Sequence, residues 1–315
     1  MQLVKAWVEN LGYKNYKIEV VSADASYRKY YRLVLENKQS YIIMDTSIQK
    51  ESIYPFIDIS VRLLKAKVQV PRVYRQDLNN GYLLLEDLGN VHLLNILNDM
   101  SYKLLYMKSI YEILKMQKAD TAGLGLYDET FLMFEMGLMQ EWYFGRHLGI
   151  CLNDEEQASL DSMLSYIKDQ VLSQPQGFFV HRDFHSRNIM FAGKGKVWVI
   201  DYQDALNGAL TYDLVSLLKD VYVRFDRQKM LELVIEFKLL KGLKDVSDEQ
   251  MIRWFDFTGL QRHIKILGIF ARLKYRDNKP AYINDIPLTL AYIYEVIALY
   301  PELEPLKKIL DKISL

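Results

Sequence analysis

The chain has 315 residues, 50% hydrophobic and 25% charged, enough to bury a sizeable core and better suited to two lobes than to one compact unit. Its 40 Lys and Arg cancel its 40 Asp and Glu, so no global field draws it to nucleic acid or to an anionic membrane. A single cysteine, Cys151, excludes an internal disulfide framework and a Cys-rich zinc site.

The first residues, Met1 to Asn10, read as an amphipathic helix with charges inside it and no apolar core of a signal peptide. No uncharged apolar stretch approaches the length that spans a bilayer, so the expectation is a soluble, cytoplasmic, monomeric protein. Tyr16 to Val21, Tyr30 to Glu36, Ser40 to Met44 and Gly81 to Glu86 are β-branched and aromatic with period-two alternation, and predict strands. Between the last two, Ser52 to Lys67 carries apolar residues at helical spacing, and Pro71 stops it. From Leu93 the texture turns helical, with Tyr102 to Lys118, Phe131 to Leu148 and Asp154 to Leu172 as amphipathic segments. One β island interrupts them, at Gly177 to Val180, Ile189 to Phe191 and Lys196 to Ile200, and helices resume at Tyr212. The reading is α+β: a small, mostly antiparallel β lobe over residues 1–88, a turn at Leu88-Gly89-Asn90, and a large helical lobe over residues 89–315, with a cleft between them.

The β island holds His181-Arg182-Asp183-Phe184-His185-Ser186-Arg187-Asn188, followed by a strand that ends at Ile200-Asp201. Phosphoryl transfer asks for a metal ion to neutralise the phosphates and a carboxylate to orient the attacking hydroxyl and take its proton. Magnesium takes hard oxygen ligands. Asp183 suits the carboxylate role, and Asn188 with Asp201 the metal site, because a hairpin between the last two returns Asp201 beside the loop. His-Arg-Asp-x-x-x-x-Asn is the spacing of a kinase catalytic loop, and Asp201 follows where a second metal carboxylate is needed. Arg187 lies in the same loop and offers charge to the moving phosphoryl group, with a surface ion pair as the alternative. His181 packs within the loop. His185 has no Cys or His partner at zinc-ligand spacing. Asp213 opens a helix, where the helix dipole favours a carboxylate, and can also brace the loop through its backbone.

The chain resembles the aminoglycoside phosphotransferase-like branch of the protein-kinase-like superfamily, and within it the bacterial anomeric kinases of N-acetylmuramate and N-acetylglucosamine. The segments that carry the likeness are Ala25 to Arg32, Ile43-Met44-Asp45, Leu84 to Gly89, His181 to Asn188, Ile200 to Ala205, Thr211 to Leu214 and Gly259 to His263. The resemblance implies the bilobal kinase-like fold, ATP and Mg2+ as donor and metal, and a small sugar as acceptor in peptidoglycan recycling. It implies that the backbone of Glu86, Asp87 and Leu88 binds adenine, and that Ala25 to Lys29 covers the phosphates. It further implies that Asp204, Arg262 and His263 face the acceptor. Two departures stand out: the covering turn has no glycine, and Met44 stands where kinases carry a lysine, so the phosphate cation comes from Arg28 or Lys29 or is absent.

From Met251 to Pro280, seven Arg and Lys face two Asp, and Arg262, Lys265, Arg272 and Arg276 recur at helical offsets. A solvated charged face is the first reading for Arg272 and Arg276 and an equal one for Arg262 and His263; as an acceptor wall it suits a neutral or anionic acceptor, with Arg262 as partner for the lactyl carboxylate of N-acetylmuramate. An aminoglycoside, choline or homoserine kinase is the second enzymatic reading, and a nucleotide-binding pseudokinase, suggested by Met44, is the third.

Overall fold

A computed structural model of the chain describes residues 1–22, 28–193 and 195–313. It opens on α1 (Gln2–Asn10), whose Val4, Trp7 and Val8 share one buried face. Strands β1 (Tyr16–Ser22), β2 (Lys29–Leu35) and β3 (Ser40–Asp45) follow as an antiparallel meander, then α2 (Ile53–Lys65), β4 (Val73–Asp77) and β5 (Tyr82–Glu86). They form one five-stranded sheet in the order β1-β2-β3-β5-β4. Strand periodicity sorts its two faces. Tyr31, Leu33, Ile43 and Leu84 pack on α1, whereas Met44, Leu83 and Leu85 join Ile53, Phe56, Ile59 and Leu63 of α2.

Strand β4 is absent from the sequence-based reading. It lies at the sheet edge, Tyr74, Arg75 and Gln76 are exposed, and an edge strand needs no alternating apolar pattern.

The helical lobe contains α3 (Leu93–Ile96), α4 (Tyr102–Met116), α5 (Glu129–Leu138), a π-helical stretch over Met139–Leu148, and α6 (Asp154–Leu172). Four short strands come next: β6 (Phe178–Val180), β7 (Ile189–Ala192), β8 (Lys196–Val199) and β9 (Leu206–Gly208). They make two separate pairs, β6 with β9 and β7 with β8, where the sequence suggested one island without β9. Helices α7 (Tyr212–Leu218), α8 (Arg227–Lys241), α9 (Asp248–Tyr275), α10 (Ile286–Leu299) and α11 (Glu304–Ile313) complete the lobe. Among the described residues, no helix is long and apolar enough to cross a membrane.

Helix α9 is the axis of this lobe, and every residue from Trp254 to Gly268 is buried. Two of its interior charges are paired: Asp256 takes Lys219 at 2.9 Å and Arg227 at 2.6 Å, and Lys265 reaches Glu135 at 3.0 Å. A Cβ at Gly268 would overlap the Leu138 carbonyl, so only glycine lets α9 come this close. At that point the expected single helix over 131–148 changes from α to π geometry.

Candidate active site

Strand β6 ends at Val180 and delivers the loop 181–188 into the cleft between the lobes. His181 uses both ring nitrogens inside it: Nε2–H donates to the Ile200 carbonyl at 3.0 Å, and Nδ1 accepts the Asp183 N–H at 3.3 Å. Arg182 adopts a left-handed backbone, φ 75°, which costs a non-glycine residue energy and persists only where neighbours impose it. Two imposing neighbours are visible. Asp213, at the start of α7, accepts the N–H of His181 at 2.8 Å and of Arg182 at 3.1 Å. Burial pushes its carboxyl up to about 6 against these donors. Glu135 of α5 accepts from the Arg182 guanidinium at 2.6 Å.

Glu135 also holds Lys265, while Tyr127 donates to it and shares a 2.8 Å hydroxyl contact with Tyr212. Burial would raise the Glu135 carboxyl, yet Lys265 and Arg182 keep it below the usual carboxylate range. The sequence-based reading missed this cluster. An acid inside the apolar run Phe131 to Leu138 was the one available sign, since a buried carboxylate requires a cation. It missed Asp220 as well, which accepts the Ser186 N–H at 2.8 Å and pins the loop's far end.

Above this base, Asp183 is half-buried in the cleft. Burial alone would raise its carboxyl, but Lys265, His185, Arg182 and Arg262 together hold it down at about 2. It is a fixed anion that can accept a hydrogen bond from a hydroxyl. Ile189 pairs with Val199 in the β7–β8 hairpin, and just beyond them Ile200 N–H donates to the Asn188 carbonyl at 3.1 Å. That register sets Asn188 beside Asp201. The Asn188 amide nitrogen donates to the Asp183 carbonyl at 3.0 Å and lies 3.4 Å from Asp201 Oδ2. Asp201 is exposed and also left-handed, φ 64°. Gln203 orients it, donating to Asp201 at 3.0 Å and to Asp204 at 3.2 Å. One carboxylate and one amide at a solvent-reached corner, without sulfur or imidazole, is a donor set that fits magnesium.

The cleft, of about 990 Å³, is walled on the β-lobe side by Tyr30, Ile42, Leu85, Glu86, Asp87 and Leu88. Arg32 organises this rim: it forks onto Asp87 at 2.7 and 3.1 Å and donates to the Gly89 carbonyl and the Asn90 side chain. The Asp87 carboxyl, which burial would raise, is thereby kept below its ordinary range. The Asp87 carboxylate is thus taken up by Arg32 and the Gly89 N–H. Arg28 lines the cleft. Lys29 does not: it shares the β2 face of Tyr31 and Leu33, opposite Tyr30 and Arg32, and is exposed there. Met44 is fully buried against α2 and is a core residue. Of the covering turn expected at Ala25 to Lys29, residues 25–27 lie outside the described residues.

Two further expectations are corrected. His263 does not reach the cleft: it is fully buried, stacks on Tyr292 at 4.7 Å, and its Nε2–H donates to the Lys219 carbonyl at 3.0 Å. Burial pushes its imidazole well down, so it stays neutral. Arg262 is only 2% exposed and sits behind Asp183 and His185 without lining the cleft. Both follow from α9 being buried on all sides, so its basic residues form no open wall. Arg276, at the helix end, is exposed and paired with Asp277 at 2.8 Å. On the helical-lobe side the cleft is lined instead by residues that include His185, Arg187, Tyr222, Tyr282 and Asp204.

Residues 17–238 match the model of the phosphotransferase enzyme family. The chain is 34% identical to the N-acetylmuramate/N-acetylglucosamine kinase of Neisseria meningitidis, across 98% of this chain and 94% of that one. It is 36% identical to the protein of the same name from Pseudomonas aeruginosa, across 92% and 86%. Among solved structures, the choline kinase LicA of Streptococcus pneumoniae superimposes with a TM-score of 0.64 at 14% identity, over 93% of this chain and 98% of that one. ADP-bound aminoglycoside phosphotransferase APH(2'')-Ib gives 0.62 at 14% identity, over 94% and 98%. At that identity the two structures speak for the bilobal kinase-like fold alone.

Proposed function

The chain belongs to the phosphotransferase enzyme family, and from that premise we propose that it transfers the γ-phosphoryl group of ATP to the anomeric hydroxyl of N-acetylmuramate, N-acetylglucosamine or both. The observation that carries this reading is the meeting of Asp183 with the Asn188–Asp201 corner, between the β-lobe rim and an aromatic end of one cleft that also carries Arg187. The names of the relatives support the choice of sugar.

The Glu86 to Leu88 backbone, braced by Arg32, holds the adenine where the lobes 1–88 and 89–315 meet. Arg28 faces the phosphates. Asp201 and Asn188 would hold magnesium, which neutralises charge on the transferring group when bound. Asp183 orients the sugar hydroxyl for in-line attack. An anion held near a pKa of 2 is a weak base. It suits a loose transition state, in which positioning matters more than early proton removal. We place the reaction in the cytoplasm, where ATP is supplied.

The test is turnover of ATP and magnesium with the two amino sugars, an aminoglycoside and choline as acceptors. Phosphorus NMR should place the phosphate on the anomeric oxygen of at least one sugar. An ester at another hydroxyl, or turnover of choline or the aminoglycoside alone, overturns the proposal.

A further inference from the structure

Arg187 has a setting unlike that of the other charged groups near the loop. Its guanidinium lies over the Tyr222 ring, 3.6 Å from the centroid, on the helical-lobe side of the cleft. Its carbonyl is pinned by the His92 ring, whose Nδ1–H donates at 2.8 Å. His185 meets the same Tyr222 ring edge-on at 5.2 Å, so the platform beneath Arg187 is itself packed. Among the described residues, no carboxylate pairs with Arg187 within ion-pair distance; Asp285 is near enough to feel its charge but is not bonded to it. Arg182, five positions earlier, is locked onto Glu135, and Arg262 is buried behind the loop. Arg187 is thus exposed, oriented and without a bonded anion.

A guanidinium held 3.6 Å over a ring centroid rests on the ring without using up its N–H groups, which remain available to take a carboxylate in two-point fashion. The two sugars in the names of the relatives differ in one group: N-acetylmuramate carries a lactyl ether ending in a carboxylate, and N-acetylglucosamine does not. We propose that Arg187, held on Tyr222, receives that carboxylate and sets the preference between the acidic and the neutral sugar. The proposal rests on the sugar-kinase reading above. It moves the carboxylate from Arg262, which lies outside the cleft lining, to a cation that lies within it.

The experiment is steady-state kinetics of the full chain, its Arg187→Ala variant and its Arg187→Lys variant on both sugars. In Arg187→Ala, the ratio of kcat/KM for N-acetylmuramate to that for N-acetylglucosamine should fall by about tenfold or more, the worth of a charge-assisted hydrogen bond. The fall should sit mainly in KM, and Arg187→Lys should restore part of it as a point charge. Equal losses for both sugars, falling in kcat, would assign Arg187 to the phosphoryl group and overturn the proposal, as would an unchanged ratio. A parent protein that phosphorylates neither sugar sinks the functional reading first, which separates the two failures. Misfolding would lower both sugars alike and leave the ratio in place, so a shifted ratio cannot come from it.

Discussion

The two sides of the catalytic loop are built from similar residues to opposite ends. On the underside, Glu135 is 3% exposed, takes Arg182 at 2.6 Å and Lys265 at 3.0 Å, and is closed in by Tyr127 and Tyr212. On the cleft side, Asp183, Asn188, Asp201 and Arg187 stand half-buried or exposed, with few bonds among themselves. Below, each charge is paired with another protein group, so that layer can hold the strained Arg182 backbone but has little left for a ligand. Above, charge is left over for the phosphates, metal and acceptor of the proposed reaction. The first layer holds the loop's backbone, and the second leaves charge open to the cleft.

The sharpest way to separate the layers is to disable each in turn. Asp183→Asn keeps shape and removes the anion, so turnover should fall about a hundredfold to ten-thousandfold while nucleotide affinity stays close to the parent's. Binding titrations beside kinetics check this, and parental turnover would end the mechanism. Glu135→Gln attacks the other layer. It leaves Arg182 and Lys265 as buried cations without their anion, and should cost about 3–5 kcal/mol of stability in denaturant unfolding. Loss of activity without loss of stability there would mean that Glu135 belongs to the cleft side after all.

Asp201→Ala comes next. It should abolish the magnesium-dependent part of ATP affinity and leave the metal-free part, because the adenine rim is held separately by Arg32 and Asp87. Titrating nucleotide with and without magnesium reads the difference, and an unchanged magnesium response would move the metal site elsewhere.

The cleft side was legible in the sequence because its spacing is local. His181 to Asn188 form one loop, and a short hairpin returns Asp201, so residue order nearly determines proximity. Asp213 was legible from its place at a helix start. The underside was not, because Glu135 lies 47 positions from Arg182 and Lys265 comes from a third element. Their meeting depends on α5 and α9 touching closely at Gly268, a fact of packing that no local pattern carries. Arg262 and His263 misled for a related reason. Offsets of three and four mark one side of a helix, but a helix buried all round has no solvent side for them to share. Lys29 erred by one residue, which on a strand is the difference between two faces.

The smallest effect expected is one of pH, and it also divides the loop. Asp183, on the cleft side, has its carboxyl lowered from 3.8 to about 2. Its ionised form stabilises the fold at any pH above 3.8, and that contribution is lost only as the pH falls through 2. Asp213, on the supporting side, is raised from 3.8 to about 6. The folded state prefers it protonated, so its contribution is whole below 3.8 and is lost as the pH climbs through 6. A displacement of about two units caps that loss at roughly 3 kcal/mol, and water reaching the loop reduces it. Denaturant unfolding of the parent and of Asp213→Asn between about pH 4 and 7 should show the parent losing stability relative to the variant as the pH rises. Over the same range kcat should show no acid limb from Asp183. A parallel stability profile for the two proteins would mean that the two backbone N–H groups outweigh burial at Asp213, and that it is ionised throughout. An acid limb near pH 5 that disappears on replacing Asp183 would mean that Lys265 and its neighbours do not hold that carboxyl down, and the two sides of the loop would then be less distinct in charge than their geometry implies.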